Sequence, residues 1–271
     1  KNLFIASTHD YLLFFTNTGR VHRKKGYLIP EAGRTARGSH IANVLPIEQD
    51  EKVTAMLLTR EFSEEEYIVM VTRQGTVKRM PMSEIYTARK AGIRVLSLEE
   101  GDELIGAFKT TGNDNLILAT RQGMAICFNE QDIRCMGRMA VGVRGIKLKD
   151  NDCVVGADVA QEGKTLLTVT EQGFGKRTPV EEYLRGEEVQ SRGGKGMKNY
   201  RLTDKTGLVA GAVVVDEEDD VLLIESGGVI LRTAAKDIST YGRVTQGVII
   251  MRIAEENRVI AVSTTMKTEE E

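Results

Sequence analysis

Residues Gln190–Gly196 read Gln-Ser-Arg-Gly-Gly-Lys-Gly, with Lys198 and Tyr200 just beyond. Guanidinium and ammonium groups supply positive charge, and glycines let backbone N–H groups approach an anion closely. That pairing suits phosphate. Arg192, Lys195 and Lys198 would carry the charge. Gly193, Gly194 and Gly196 would give exposed amides and close approach, and Gln190 an uncharged donor. The spacing alone leaves a plain surface loop open as well.

Other chemistry finds no constellation. The chain has three histidines and three cysteines, without CxxC spacing and without a histidine at ligand distance from a cysteine. The expectation is therefore reduced thiols and no metal. No Gly-x-Ser-x-Gly is present. Gly163-Lys164-Thr165 looks like the end of a phosphate loop, but Asp158 stands where that loop needs its first glycine. The TLLTVT that follows reads as a strand, not the required helix N-terminus. Tyr183 and Tyr200 read as packing or stacking residues. No catalytic residue is expected.

The elements that must position the basic loop repeat themselves. TNTGRVHRK, TRQGTVKRM, TRQGMAICF, TEQGFGKRT and ESGGVILRT begin at Thr16, Thr72, Thr120, Thr170 and Glu225. Each follows an apolar run (YLLFF, YIVMV, NLILA, TLLTV, VLLIE) and crosses a glycine, which predicts five β-hairpins at a period near fifty. Arg34, Arg138, Arg192 and Arg243 each stand four residues before a second glycine, and Arg89-Lys90 precedes Gly92 in the remaining repeat. A further strand closes each repeat: VTAML, ELIGAF, VVGADV, LVAGAVVV, VIAVS. About four strands per repeat, with almost no helical periodicity, predict an all-β bladed architecture. Its repeats run over about 9–59, 64–110, 113–160, 163–216 and 219–265, in a single domain.

With 271 residues, 41% apolar and 28% charged, the chain is expected to be soluble and globular, and no apolar run is long enough to span a bilayer. The net charge of −2 conceals segregation, with acids and bases in separate runs. Blades around one axis bring equivalent basic loops to one height and so make a positive stripe. Such a stripe suits a uniformly charged polymer, above all duplex DNA held by its phosphates. Aromatics are only 5% and tryptophan is absent, which disfavours a stacking platform for single strands.

The chain resembles the C-terminal domain of the DNA gyrase A subunit over essentially its whole length. The resemblance rests on THDYLLFFTNTGRV, ARGSHIANVLPIEQDEKVTAML, GDELIGA, MGRMAVGVRGIKL, GFGKRTPVEEY and RTAAKDISTYGRVTQGVIIMRIAEENRV. It implies a β-pinwheel of five to six blades that exchange strands and wrap DNA around a basic rim, so that the parent enzyme supercoils negatively. The family's box reads Gln-Arg-Arg-Gly-Gly-Lys-Gly. Gln190–Gly196 matches it with serine at one arginine, in a late repeat, as a secondary box. KNLFIAST looks like the last strand of a preceding repeat that would hold the principal box.

The resemblance also implies that catalysis, ATP and Mg²⁺ belong to other parts of the parent, with no cofactor here. Its partners would be duplex DNA, the N-terminal breakage-reunion domain and the gyrase B subunit, in a bacterial cytoplasm at the nucleoid. The isolated domain is expected to be a monomer. The DNA contacts expected are Arg23, Lys24, Lys25, Arg34, Arg37, Lys78, Arg79, Arg89, Lys90, Arg138, Lys176, Arg177, Gln190, Arg192, Gly193, Gly194, Lys195, Gly196, Arg232 and Arg243. The alternatives are a protein-binding propeller scaffold and the matching domain of the topoisomerase IV A subunit.

Overall fold

The computed structural model describes residues 6–31, 37–86 and 91–265. The five expected hairpins form: β1 (Tyr11–Thr16) with β2 (Arg20–Lys25), β4 (Tyr67–Thr72) with β5 (Thr76–Pro81), β8 (Asn115–Thr120) with β9 (Met124–Asn129), β12 (Thr165–Thr170) with β13 (Phe174–Pro179), and β16 (Asp220–Glu225) with β17 (Ile230–Ala234). A Thr-x-x-Gly turn joins four of them. The Thr72 carbonyl accepts from Gly75 N at 3.0 Å, while its hydroxyl accepts from Thr76 N at 3.1 Å. Thr120 and Thr170 repeat this arrangement.

The closing strand of each repeat pairs with the first strand of its own hairpin. These are β3 (Val53–Thr59), β7 (Leu104–Thr110), β11 (Val154–Val159), β15 (Val209–Val215) and β19 (Val259–Thr264). All five surround a narrow central channel of about 280 Å³ lined by Thr54, Gly106, Gly156, Ala212 and Ser263 among others. The sheets therefore radiate from one axis as blades.

The fourth strand of a blade is borrowed. Two-residue strands β6 (Ile93–Arg94), β10 (Val143–Arg144), β14 (Met197–Lys198) and β18 (Val248–Ile249) each come from the next repeat and pair antiparallel with β2, β5, β9 and β13. Each is the outermost strand of its sheet. The fifth sheet holds three strands, in the order β17-β16-β19, where the repeat pattern predicts four.

The cores lie between blades. Leu13, Phe15 and Leu57 pack on Ile68, Met70 and Met80; Val69 and Val71 pack on Leu116, Leu118 and Phe128. This explains why β4, β8 and β12 are almost continuously buried apolar runs: both sheet faces are covered. Among the described residues no second blade covers the outer face of the first. The segment Ile41–Ile47 caps it instead, over Leu12 and Phe14.

In the second to fifth repeats the second glycine is set by close approach, whereas a Cβ on Gly38 of the first would meet nothing within 4 Å. A Cβ on Gly196 would stand 2.2 Å from the Ala125 carbonyl oxygen, and one on Gly247 2.3 Å from that of Gly175. Both have positive φ, 74° and 69°. Only glycine lets the borrowed strand cross so tightly onto its neighbour's sheet.

Candidate nucleic-acid interface

The borrowed strands define the outer rim. Their first residues, Ile93, Val143 and Met197, are half-buried on the sheet; the next ones, Arg94, Arg144 and Lys198, are exposed, as strand alternation requires. Ile249 takes this place in the fourth blade. Three residues on stand Lys147, Arg201 and Arg252, also exposed. None of these six basic side chains is ion-paired to a described residue. The sequence pattern points to arginine before the second glycine as the source of this stripe. The signal that finds it lies after: Gly-Ile-Arg, Gly-Val-Arg and Gly-Met-Lys.

The box-like loop 190–196 sits at this rim, clamped to the preceding repeat. Arg192 Nη1 donates to the Arg144 carbonyl at 2.5 Å, and its Nε to that of Asp132 at 3.0 Å. Gly193 N donates to Gly145 O at 2.8 Å, and Lys147 N to Gly194 O at 2.8 Å. Arg192 is thus half-buried and occupied, while Lys195 is exposed. Gln190 is buried, its backbone N–H donating to Cys127 O and its side-chain Nε2 without a protein partner. It is not the solvent-facing donor the sequence suggested, because the loop enters over Cys127 before it turns outward.

The next loop repeats the clamp. Arg243 Nη1 donates to the Lys198 carbonyl at 2.9 Å, and its N–H to Glu182 Oε2 at 3.1 Å. Arg138 lies 3.6 Å from Glu84 and is half-exposed.

Four expected contacts face inward. Lys78 and Lys176 are 0% exposed, each ammonium surrounded by oxygens, those of the overlying loop and, for Lys78, the Val95 carbonyl as well. Burial pushes both pKa values down to about 8. Arg79 reaches buried Glu130 at 3.5 Å and lies over the Tyr67 ring. Arg177 Nε donates to Ile238 O at 2.7 Å. From the sequence, both residues of each Lys-Arg pair are expected at the rim. Here one residue lies under the next repeat's loop and the other against the short turn that follows the next repeat's hairpin, so both are enclosed.

Arg23 is half-buried among the rings of Tyr11, Phe62 and Tyr86, 5.1–5.6 Å from their centroids, and donates to Tyr86 O. Lys25 covers the Tyr11 ring at 3.5 Å. Lys24 is half-buried and Arg37 exposed. Arg232 is exposed but held by Asp220. Arg34, Arg89 and Lys90 lie outside the described residues. Among the described residues no cluster of His, Cys, Asp and Glu could hold a metal ion, and no helix is long and apolar enough to cross a membrane.

Blades that exchange their outermost strands around a central channel, with an exposed basic position on the exchanged strand, define a β-pinwheel. The family model described as "DNA gyrase C-terminal domain, beta-propeller" matches residues 10–60, 66–111, 114–161, 164–216 and 219–266, and the chain belongs to that family. It is 43% identical over 260 residues to the DNA gyrase A subunit of Escherichia coli (strain K12), covering 96% of this chain and 29% of that one. Against the DNA gyrase A subunit of Staphylococcus epidermidis (strain ATCC 12228) it is 41% identical over 274 residues, covering 100% and 30%. The chain thus spans under a third of these relatives. A solved DNA gyrase A C-terminal domain superposes with a TM-score of 0.81 at 26% identity, covering 97% of this chain and 85% of that one. The C-terminal domain of a DNA topoisomerase IV gives 0.84 at 28%, covering 95% and 79%.

Proposed function

We propose that this chain binds duplex DNA along its rim, bends it and wraps it with little sequence preference. In the parent gyrase this wrap would direct strand passage toward negative supercoiling. The observation that carries the reading is the exposed basic position on three successive outermost strands, Arg94, Arg144 and Lys198. Lys147, Arg201 and Arg252 widen the track, and Lys195 adds to it at the box. Such contacts grip phosphates and carry no base readout. Bending a 20–30 bp site by 40–90° costs on the order of 1–6 kcal/mol, which many counterion-releasing contacts can offset. ATP, Mg²⁺ and the cleavage chemistry would reside in other parts of the parent, contributed by its breakage-reunion domain and its B subunit.

The test is affinity and bending of a duplex of about 150 bp, one persistence length, across a salt series. Tight, bent, salt-sensitive complexes weakened by Arg144→Ala/Lys198→Ala are expected. A salt slope near zero would sink the reading. A second reading, a topoisomerase IV domain, is favoured by the structural likeness of that domain; the Gln190–Gly196 box and the gyrase relatives support gyrase. Supercoiling of a minicircle by the reconstituted parent separates the two.

A further inference from the structure

The third residue after each hairpin glycine is His22, Lys78, Ile126, Lys176 or Leu231. In the second, third and fourth blades it lies beneath the loop that the next repeat sends across the blade's outer edge. Under the box it is Ile126, whose Cδ1 would stand 3.7 Å from a Cβ on Gly194. The loops Gly137–Gly142 and Gly242–Gly247 lack the glycine pair, and under them lie lysines. Lys78 Nζ donates to the carbonyls of Val95 (2.6 Å), Arg138 (2.7 Å) and Ala140 (3.1 Å). Lys176 Nζ donates to the carbonyls of Gly242 (2.7 Å) and Arg243 and to Thr245 Oγ1 (3.1 Å). Three donors meet three acceptors in each case. Neither ammonium can reach a phosphate. Ile126 shows that an apolar residue can fill the position, so the charge has a separate consequence.

That consequence follows from peptide geometry. Among the described residues every peptide bond is trans, and across a trans peptide a carbonyl and the next N–H point in opposite directions. Drawing in the carbonyls of Arg138 and Ala140 turns the N–H groups of Met139 and Val141 outward. Drawing in that of Arg243 turns out the N–H of Val244. Met139, Val141 and Val244 are 68%, 40% and 52% exposed. Arg138 and Arg243 stand beside them. Their guanidiniums are held by Glu84 and by the Lys198 carbonyl, so it is the outward amides that offer a setting for phosphate oxygens.

We propose that Lys78 and Lys176 are positioning residues that build two backbone-amide phosphate sites, one on loop 138–141 and one on loop 243–244. The box would reach a similar loop path with glycines. This rests on the DNA reading above, with the phosphodiester of the duplex as ligand.

The experiment follows the amide signals of Met139, Val141 and Val244 by NMR in the 271-residue chain, on adding a duplex of about 30 bp and, separately, inorganic phosphate. Salt-series affinities of Lys78→Met/Lys176→Met run beside it. The three amides should shift with duplex. The lysine pair should weaken binding about tenfold, as loss of several outward amides would, with an unchanged salt slope because neither ammonium touches phosphate.

The proposal is overturned if these amides stay still while the duplex binds, or if the lysine variant binds like the wild type. It is also overturned if the slope falls by about one per lysine, which would make them direct contacts. Should the double variant fail to fold, Lys78→Ile, which copies Ile126, and the wild-type shifts decide. If phosphate moves the three amides but no duplex binds, the sites stand and the DNA reading falls.

Discussion

Arg192 gives its Nη1 hydrogen to the carbonyl oxygen of Arg144, 2.5 Å away. One arginine of the box thus holds the backbone of another arginine on the exchanged strand of the preceding repeat. Arg243 does the same to Lys198 one blade further on. The two partners of each clamp have different duties. The donor is half-buried and spends its guanidinium on the protein; the acceptor residue keeps its own basic side chain exposed.

These duties separate in a salt series. Arg144→Ala removes an exposed cation and should lower the slope of log affinity against log salt by about 0.9. Arg192→Ala should weaken binding while changing the slope less, and should speed amide exchange at Gly193 and Lys147, whose N–H groups hold the loop in place. Hydrogen exchange and a fluorescence titration read both. If Arg192→Ala lowers the slope as much as Arg144→Ala does, the clamp is itself a phosphate contact.

The hairpins and the five inner strands were legible in the sequence because each strand is five to seven residues of apolar or alternating pattern, and a glycine turn joins the two strands of every hairpin. The exchanged strands were not. Val143–Arg144 is two residues long and carries no strand period, so only the recurring Gly-x-Arg/Lys triplet marks the exposed arginine on it. Lys78-Arg79 and Lys176-Arg177 misled for the opposite reason. Their charge suggested solvent, yet three carbonyls gather on Lys78 and Glu130 waits for Arg79. A sequence shows the charges but not the oxygens that long-range packing brings to them.

Two glycines of the box should respond differently to the same substitution. Gly196→Ala places a Cβ 2.2 Å from the Ala125 carbonyl oxygen at φ 74°. It should cost at least about 2 kcal/mol in urea unfolding and loosen the Met197–Lys198 strand. Gly194→Ala meets nothing closer than 3.7 Å and needs no positive φ. It should stay within about 1 kcal/mol of the wild type. Equal losses would mean that close approach does not select the second glycine.

The buried lysines give a pH dependence of known sign. Their folded pKa of about 8 lies below the ordinary lysine value of 10.5. Between pH 8 and about 10 the unfolded chain therefore binds more protons than the native one, and this pair contributes rising stability with pH. Loop order should move the other way, since a neutral amine has only two hydrogens for three oxygens. DNA affinity should fall from pH 7.5 to 9.5 at fixed salt, without a matching fall in urea midpoint. Lys78→Met/Lys176→Met should flatten that affinity profile. A profile that stays as steep in the variant would place the titration elsewhere.

Glu130 tests which expected DNA contact is structural. Its carboxylate is fully buried and accepts from Gly112 N and Asp114 N at 2.8 Å, from Thr110 Oγ1 at 2.7 Å and from Arg79 Nη1 at 3.5 Å. It ties the end of β7 and the turn into β8 to a strand of the second blade. Removing one partner leaves the other charge buried, so Glu130→Met should cost about 3–5 kcal/mol. Arg79→Met should also destabilise, while Arg79→Met/Glu130→Met should cost less than the two losses added, as a shared network requires. The same Arg79→Met protein, assayed where it is folded, should keep the wild-type salt slope for DNA. A slope lowered by about one would put Arg79 on the rim, in direct contact with phosphate, and would leave the buried pair unexplained.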